Sequence, residues 1–239
     1  MILLNELSPG NALSIRPIAH IRTDFPEKFG VPRQSGRVPE LIGRIVFEHP
    51  WRDAAALRGL DGFSHIWLIF GFSEVPEEQT QSLTVRPPRL GGNRRVGVFA
   101  SRSPFRPNRL GLSSVRLCGI SNGNGGPYLT VAGADLVDGT PIYDIKPYLP
   151  FTDSHPNAVG GYAAAEEAHR LRVSVPDALT DRLPKDKREA IIACIAEDPR
   201  PSYQTDHERI YSMAFADVTV HFTVCGDCAT ITDIAPSSD

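Results

Sequence analysis

The chain reads as a mainly β protein in which a small β-barrel forms the main domain and a small α+β domain follows it. Three observations predict this. Residues 15–150 break into short runs rich in β-branched and aromatic residues, divided by Gly and Pro. No long helical periods alternate with those runs, which favours an antiparallel or mixed barrel over a βαβ sheet. After residue 160 the texture changes to a helical stretch followed by strand-like runs. With 239 residues, 41 % of them apolar, the chain can bury one sizeable core and a smaller one.

Residues 1–14, MILLNELSPGNALS, read as an N-terminal extension. The strand candidates follow in order: SIRPIAHIRT, GRIVFE, GFSHIWLIFGF, RVGVFA, SSVRLCGI, YLTVAGADL and TPIYDI. DAAALRGL is expected as a short helix among them. In the third run, His65 reads as a buried, hydrogen-bonded strand residue, and Phe63, Trp67 and Phe70 as core or dimer contacts. A domain joint falls around residues 155–170, dividing 15–160 from 161–239. In the second domain a helix is expected from Asp186, where Asp186 and Glu189 have capping-box spacing and Ile191, Ile192 and Ile195 supply an apolar face. Three strand-like runs follow, ending in a hairpin at Cys225 and Cys228.

The four cysteines do not make a disulfide framework, and Cys118 and Cys194 have no partner in the sequence. Cys225 and Cys228 form a CxxC with no second pair and no His at ligand spacing, so a turn is favoured over a metal or redox site, and no metal is expected. No run of about 18 apolar residues exists to cross a membrane. The opening lacks the basic start and apolar centre of a secretory signal, so a cytoplasmic location is expected.

The charge pattern is the strongest pointer to function. The formal net charge is −3, yet between Glu78 and Asp135 there is no acid and no lysine, only Arg86, Arg89, Arg94, Arg95, Arg102, Arg106, Arg109 and Arg116. A planar guanidinium binds phosphate or carboxylate through two parallel hydrogen bonds and stacks on bases, so this polarity suits a polyanion or nucleotide. The competing reading is that these arginines pair with distant acids or solvate a strand face. In RSPFRPNRLG, Pro104 and Pro107 hold their own φ and bias Ser103 and Arg106 away from helix, which predicts a stiff, exposed, non-helical loop. Glycine-rich strand-to-helix turns, P-loops, HExxH and GxSxG are all missing, so any nucleotide site is not of the Rossmann or P-loop kind.

FPEKFGVPRQSG, GLDGFSHIWLIFGF, VRPPRLGGNRRVGVFASRSPFRPNRLGLS and DLVDGTPIYDIKPYLPF resemble, in order and spacing, the motifs of the TrmO family, also called YaeB-like, and EDPRPSY resembles its second domain. The resemblance implies a homodimeric, non-Rossmann β-barrel enzyme. It would use S-adenosyl-L-methionine to methylate N6 of threonylcarbamoyladenosine, 3′ of the anticodon in tRNA, chiefly threonine tRNA. Carried over by motif, the cofactor pocket comprises Gln34, Ser35, Gly36, Ser73, Glu74, Arg102, Leu112, Gly133, Ala134 and Asp135. Where the family usually reads RPNPIG this chain reads RPNRLG; Arg109 thus replaces a proline, which is expected to loosen the loop slightly and add a cation.

Under that reading the tRNA anticodon arm meets Arg86, Arg89, Arg94, Arg95, Arg106 and Arg109. The acceptor nitrogen becomes a good nucleophile as its proton leaves. Asp138, Asp144 and Tyr148 are the candidates for the base, and Lys146 for holding the threonyl carboxylate or a phosphate. Against this, Asp138 stands in a DG turn signal and Asp144 is placed to pair with Lys146 or an arginine. A non-catalytic RNA-binding barrel, or a methyltransferase for a small molecule, remain the alternatives.

Overall fold

The structure, a computed structural model, describes residues 13–87, 94–166, 169–201, 204 and 206–237. Its strands in chain order are β1 (Ala19–Arg22), β2 (Ile42–Phe47), β3 (His65–Gly71), β4 (Thr84–Val85), β5 (Val96–Gly97), β6 (Leu110–Gly123), β7 (Gly126–Ala132), β8 (Pro141–Pro147), β9 (Arg172–Ser174), β10 (Tyr211–Phe215), β11 (Val218–Cys225) and β12 (Cys228–Pro236). The helices are α1 (Pro150–Asp153), α2 (Asp177–Thr180) and α3 (Arg188–Ala196). The fold is mainly β, as the sequence predicts.

Six strands pair antiparallel in the order β1-β2-β7-β6-β3-β8, and β8 pairs back to β1, so hydrogen bonding runs round a ring. The ring is uneven. β3 and β6 match from His65↔Arg116 to Gly71↔Leu110, whereas the β1–β8 seam pairs Ala19↔Ile142 and His20↔Pro141 and is extended by the Ile18 amide on the Ile142 carbonyl and the Ile21 amide on the Thr140 carbonyl. Period-two alternation decides what fills it: Ile66, Leu68 and Phe70 of β3 point inward beside Ile21, Ile45, Val115, Leu129 and Ile142. The same alternation puts His65 outside, exposed, with its ring 6.2 Å from that of Tyr148. This corrects the expectation of a buried histidine. Of the neighbouring aromatics, Phe70 is core, while Phe63 and Trp67 are half-buried.

DAAALRGL holds the short helix expected there, of the 3₁₀ kind, Ala54–Leu57, capped by Asp53 accepting from the Ala55 amide at 2.8 Å, and a second 3₁₀ turn, Leu60–Gly62, begins at its last residue. Each is too short to complete the hydrogen-bond ladder of an α-helix.

The second core is built by the sheet β10-β11-β12-β9, with β9 parallel to β12, and by α3. The turn between Cys225 and Cys228 is the two-residue hairpin expected there. The start of α3 is corrected: Lys187, not Asp186, precedes its first residue, and no side chain caps it. Lys187 already has helical backbone angles and sends its ammonium to Asp24 at 2.5 Å, while Asp186 is exposed, so no capping box forms. Ile191 and Ile195 are buried with Cys194, and Ile192 lies at the margin.

The connection between β1 and β2, residues 23–41, leaves the ring and packs into this second core. Phe25, Val38 and Leu41 are buried there, with Phe29 and Val31 against them. The Phe25 ring meets Phe215 edge-on at 5.0 Å, and Phe29 stacks over Tyr211 and Phe222. Each such aromatic contributes roughly 1.5–3 kcal/mol by burial.

Gly30 has φ +94, and a Cβ there would stand 2.5 Å from Cγ and Sδ of the fully buried Met213. Gly30→Ala is therefore expected to cost about 2–4 kcal/mol, from left-handed backbone strain and overpacking together. Urea denaturation checks this, and a loss below about 0.5 kcal/mol would show that the contact is not made in solution.

Candidate functional site

Strand direction gathers three connections at one end of the ring. β1, β3 and β7 finish there and β2, β6 and β8 begin there, because all six pairings are antiparallel. The β1–β2 connection brings Gln34, Ser35 and Gly36, the long excursion between β3 and β6 brings Arg102, and the β7–β8 connection brings Gly133, Ala134 and Asp135. Residues far apart in the chain meet because the topology leaves them no other end.

The meeting is held by specific bonds. The Gly36 amide donates to the Gly133 carbonyl at 2.8 Å, and the Gly133 amide donates to the Leu41 carbonyl at 2.8 Å. Gly133 has φ +76, and a Cβ there would lie 3.2 Å from both Cα and N of Gly36, so glycine permits the approach of the two backbones. Arg102 donates Nη1 to Gln34 Oε1, and Gln34 donates Nε2 to the Arg33 carbonyl at 2.6 Å. Asp135 accepts from the Ser113 hydroxyl at 2.7 Å and from the Ser35 backbone. Burial pushes the Asp135 carboxyl above its ordinary value of 3.8; the hydrogen bonds from Ser113 and the two backbones, with the Arg102 charge, oppose the rise without cancelling it.

Ser113 was not singled out by its sequence context. It is 4 % exposed and points inward two residues before Val115 on β6, so a polar residue in an inward strand register was the available signal. The alternation that turns Ser113 inward turns Leu112 out, where it is 54 % exposed opposite Ile69. Ala134 is buried in the ring core. Ser73 and Glu74 stand exposed at this same end, just beyond β3.

The arginine loop is non-helical, as predicted, but its exposure is corrected: much of residues 101–110 is half-buried. Its stiffness comes from internal bonds as well as from proline. The Arg106 Nη1 donates to the Ser101 carbonyl at 3.1 Å, and the Arg109 Nη1 donates to the Val75 carbonyl at 3.0 Å. The Arg109 amide donates to the Arg106 carbonyl at 3.0 Å, and its carbonyl accepts from Phe72 at 2.8 Å. Arg109 has φ +47, which proline cannot adopt. The expected loosening is reversed, since Arg109 ties the loop to the end of β3. Arg86 and Arg94 are exposed, and Arg95 donates to Thr84 Oγ1 at 3.0 Å; Arg89 lies outside the described residues.

The remaining candidates divide between the two ends. Asp138 is at the same end, accepting from the Thr23 amide at 2.9 Å and from Arg22 at 3.1 Å. Lys146 and Tyr148 are at the opposite end of the ring, so one chain does not bring them to Asp135. Lys146 pairs with Asp144 at 3.0 Å, and the Tyr148 ring lies 5.5 Å from Trp67. Among the described residues no group of three or more His, Cys, Asp or Glu is placed to hold a metal ion, and no helix is long and apolar enough to cross a membrane.

A cation, a desolvated acid and a close backbone pair stand together at the mouth of a strand ring, away from any helix N-terminus. They fit a ligand that carries a carboxylate beside an ammonium and hydroxyls, as S-adenosyl-L-methionine does: Arg102 suits the carboxylate, and Asp135 the cation or a hydroxyl. The chain belongs to the TrmO family. The tRNA-methyltransferase O N-terminal domain matches residues 20–154, and the TrmO C-terminal domain residues 168–237. The tRNA (adenine(37)-N6)-methyltransferase of Escherichia coli K12 is 40 % identical over 222 residues, covering 90 % of this chain and 94 % of that one. The putative S-adenosylmethionine-dependent methyltransferase RcsF of Pseudomonas aeruginosa is 42 % identical over 217 residues, covering 87 % and 91 %. A crystal structure of TrmO from Pseudomonas aeruginosa superposes with a TM-score of 0.76 at 34 % identity, covering 95 % of this chain and 98 % of that one.

Two outcomes follow from the geometry. With its folded pKa raised, Asp135 holds its proton in the native state over a window above 3.8 where the unfolded chain has released it, so it lowers stability as pH rises through that window. Asp135→Asn is thus expected to gain stability relative to the parent from about pH 4 upward, read as a pH-dependent gap between urea midpoints; a gap that does not change with pH would contradict the desolvation. Arg109→Pro is expected to lose roughly 2 kcal/mol or more, through φ and two hydrogen bonds, in the same assay.

Proposed function

We propose that this chain is an S-adenosyl-L-methionine-dependent tRNA (adenine(37)-N6)-methyltransferase, and that its acceptor is the threonylcarbamoylated adenosine of threonine tRNA. The meeting of Gln34, Ser35, Gly36, Arg102, Gly133 and Asp135 at one mouth of the ring carries the reading. The name and 40 % identity of the Escherichia coli relative support the reaction. We read the six-strand ring as a small β-barrel, keep the division between residues 15–160 and 161–239, and place the protein in the cytoplasm.

The cofactor supplies a methyl group already activated on a sulfonium. What remains for the chain is to hold donor and acceptor within about 3–3.5 Å and in line. Arg102 and Asp135 would bind the two charged ends of the amino acid moiety, the Gly36–Gly133 backbone would line the nucleoside, and Ser73, Glu74, Leu112 and Ala134 would complete the pocket. Asp138, at this mouth, would take the acceptor proton, a contribution of about 10²–10⁴ in rate. We read the protein as a homodimer in which Lys146 and Tyr148, at the opposite end of the ring, would serve the acceptor held at a second copy's mouth. Arg86, Arg89, Arg94, Arg95, Arg106 and Arg109 would hold the anticodon arm through its phosphates.

Labelled cofactor mixed with threonine tRNA, with and without the threonylcarbamoyl group, tests this. Methylation is expected on the modified tRNA alone. Equal transfer to both overturns the acceptor specificity, and tRNA binding without transfer shows a non-catalytic RNA-binding protein. Affinity for tRNA is expected to fall by at least about tenfold from 50 to 200 mM salt as neutralised phosphates release counterions.

A further inference from the structure

The C-terminal unit touches the cofactor-end cluster in an unexpected way. Of the β1–β2 connection, residues 34–36 reach the ring mouth, and the residues on either side of them are gripped from the other unit. On one side, Arg33 donates Nη2 to the Arg200 carbonyl at 2.9 Å. On the other, Arg37 donates Nε to Glu197 Oε2 at 2.7 Å. Glu197, its side chain 10 % exposed, also meets the Arg170 Nε at 2.8 Å, and Arg170 in turn donates Nη2 to the Arg37 carbonyl at 2.8 Å. Arg37 is thus held by side chain and by backbone, one residue after Gly36 is bonded to Gly133.

The parts of this bracket are fixed independently. Glu197 follows the last turn of α3, its amide donating to the Ala193 carbonyl at 3.2 Å. Asp198, next in the chain, accepts two bonds from Arg200 and one contact from His169, so the Arg200 backbone that receives Arg33 is itself tied down. The apolar flanks Phe25, Val38 and Leu41 are buried in the same unit. Residues 34–36 are therefore held at both ends, and the disorder they would otherwise lose on binding a ligand is removed in advance.

We infer that Glu197, Arg37 and Arg170 are positioning residues of the cofactor site: the C-terminal unit preorganises Gln34, Ser35 and Gly36 for the donor, besides whatever it does for RNA. The inference rests on the reading of residues 34–36 as cofactor-binding. It assigns no contact between these three side chains and the cofactor.

The test uses the full chain and three variants, with S-adenosylhomocysteine as calorimetric probe and amide hydrogen exchange at Ser35 and Gly36 as a readout that needs no ligand. Glu197→Gln and Arg37→Met break the bracket. Lys187→Met breaks the Lys187–Asp24 pair, which joins the same two units away from residues 34–36. Glu197→Gln and Arg37→Met are expected to weaken the probe about five- to thirtyfold and to speed exchange at Gly36. Lys187→Met is expected to lower the urea midpoint but keep probe affinity within about twofold. Equal weakening by all three overturns the inference in favour of general stability, and unchanged affinity in both bracket variants overturns it outright. A parent protein that does not bind the probe overturns the cofactor reading instead, and exchange at Gly36 then decides the bracket alone.

Discussion

The Gly36 amide bonded to the Gly133 carbonyl is the contact on which the site depends. It joins the β1–β2 and β7–β8 connections at a backbone separation that a Cβ on residue 133 would close. Once the two backbones are in register, Ser35 is beside Asp135 and its amide reaches the carboxylate. Arg102 then closes the third side through Gln34. The acid, the cation and the loop lie off the strands, so bonds between connections give them their common frame: this one, the Gly133 amide to the Leu41 carbonyl, and the Ser35 amide to Asp135.

Asp135 shows how the ring and the site share energy. A carboxylate at the mouth of an apolar core is costly to keep charged, and its partners offset only part of that cost. The buried Ser113 hydroxyl belongs to the strand that also lines the core, so packing and ligand chemistry are linked through two adjacent inward positions, Ser113 and Val115. An acid buried this way works against stability as pH rises, and such raised carboxyls are common where a protein meets a ligand.

The arginine-rich excursion gains its order from backbone carbonyls. Ser101 and Val75 each accept a guanidinium donor, and Phe72 and Arg106 bond the Arg109 backbone. A guanidinium has five donors, so one bond to a carbonyl fixes its orientation without exhausting its capacity for phosphate. At residue 109 the backbone takes φ +47, a conformation open to arginine and closed to proline.

Much of the protein was legible in the sequence. Period-two runs set the mainly β class and most of the strands; the missing nucleotide fingerprints argued against a helix-based cradle; and the family resemblance named Gln34, Ser35, Gly36, Arg102, Gly133 and Asp135, which the topology brings to one end of the ring. These are local properties, carried by residue type and spacing. The inward Ser113, the outward His65 and Leu112, the start of α3 at Arg188, the bracket from Glu197 to Arg37 and the separation of Asp138 from Lys146 and Tyr148 were decided only by tertiary structure. Each depends on strand register or on which unit a connection packs against, and those are fixed by contacts between residues as far apart as 37 and 197, which no local pattern encodes.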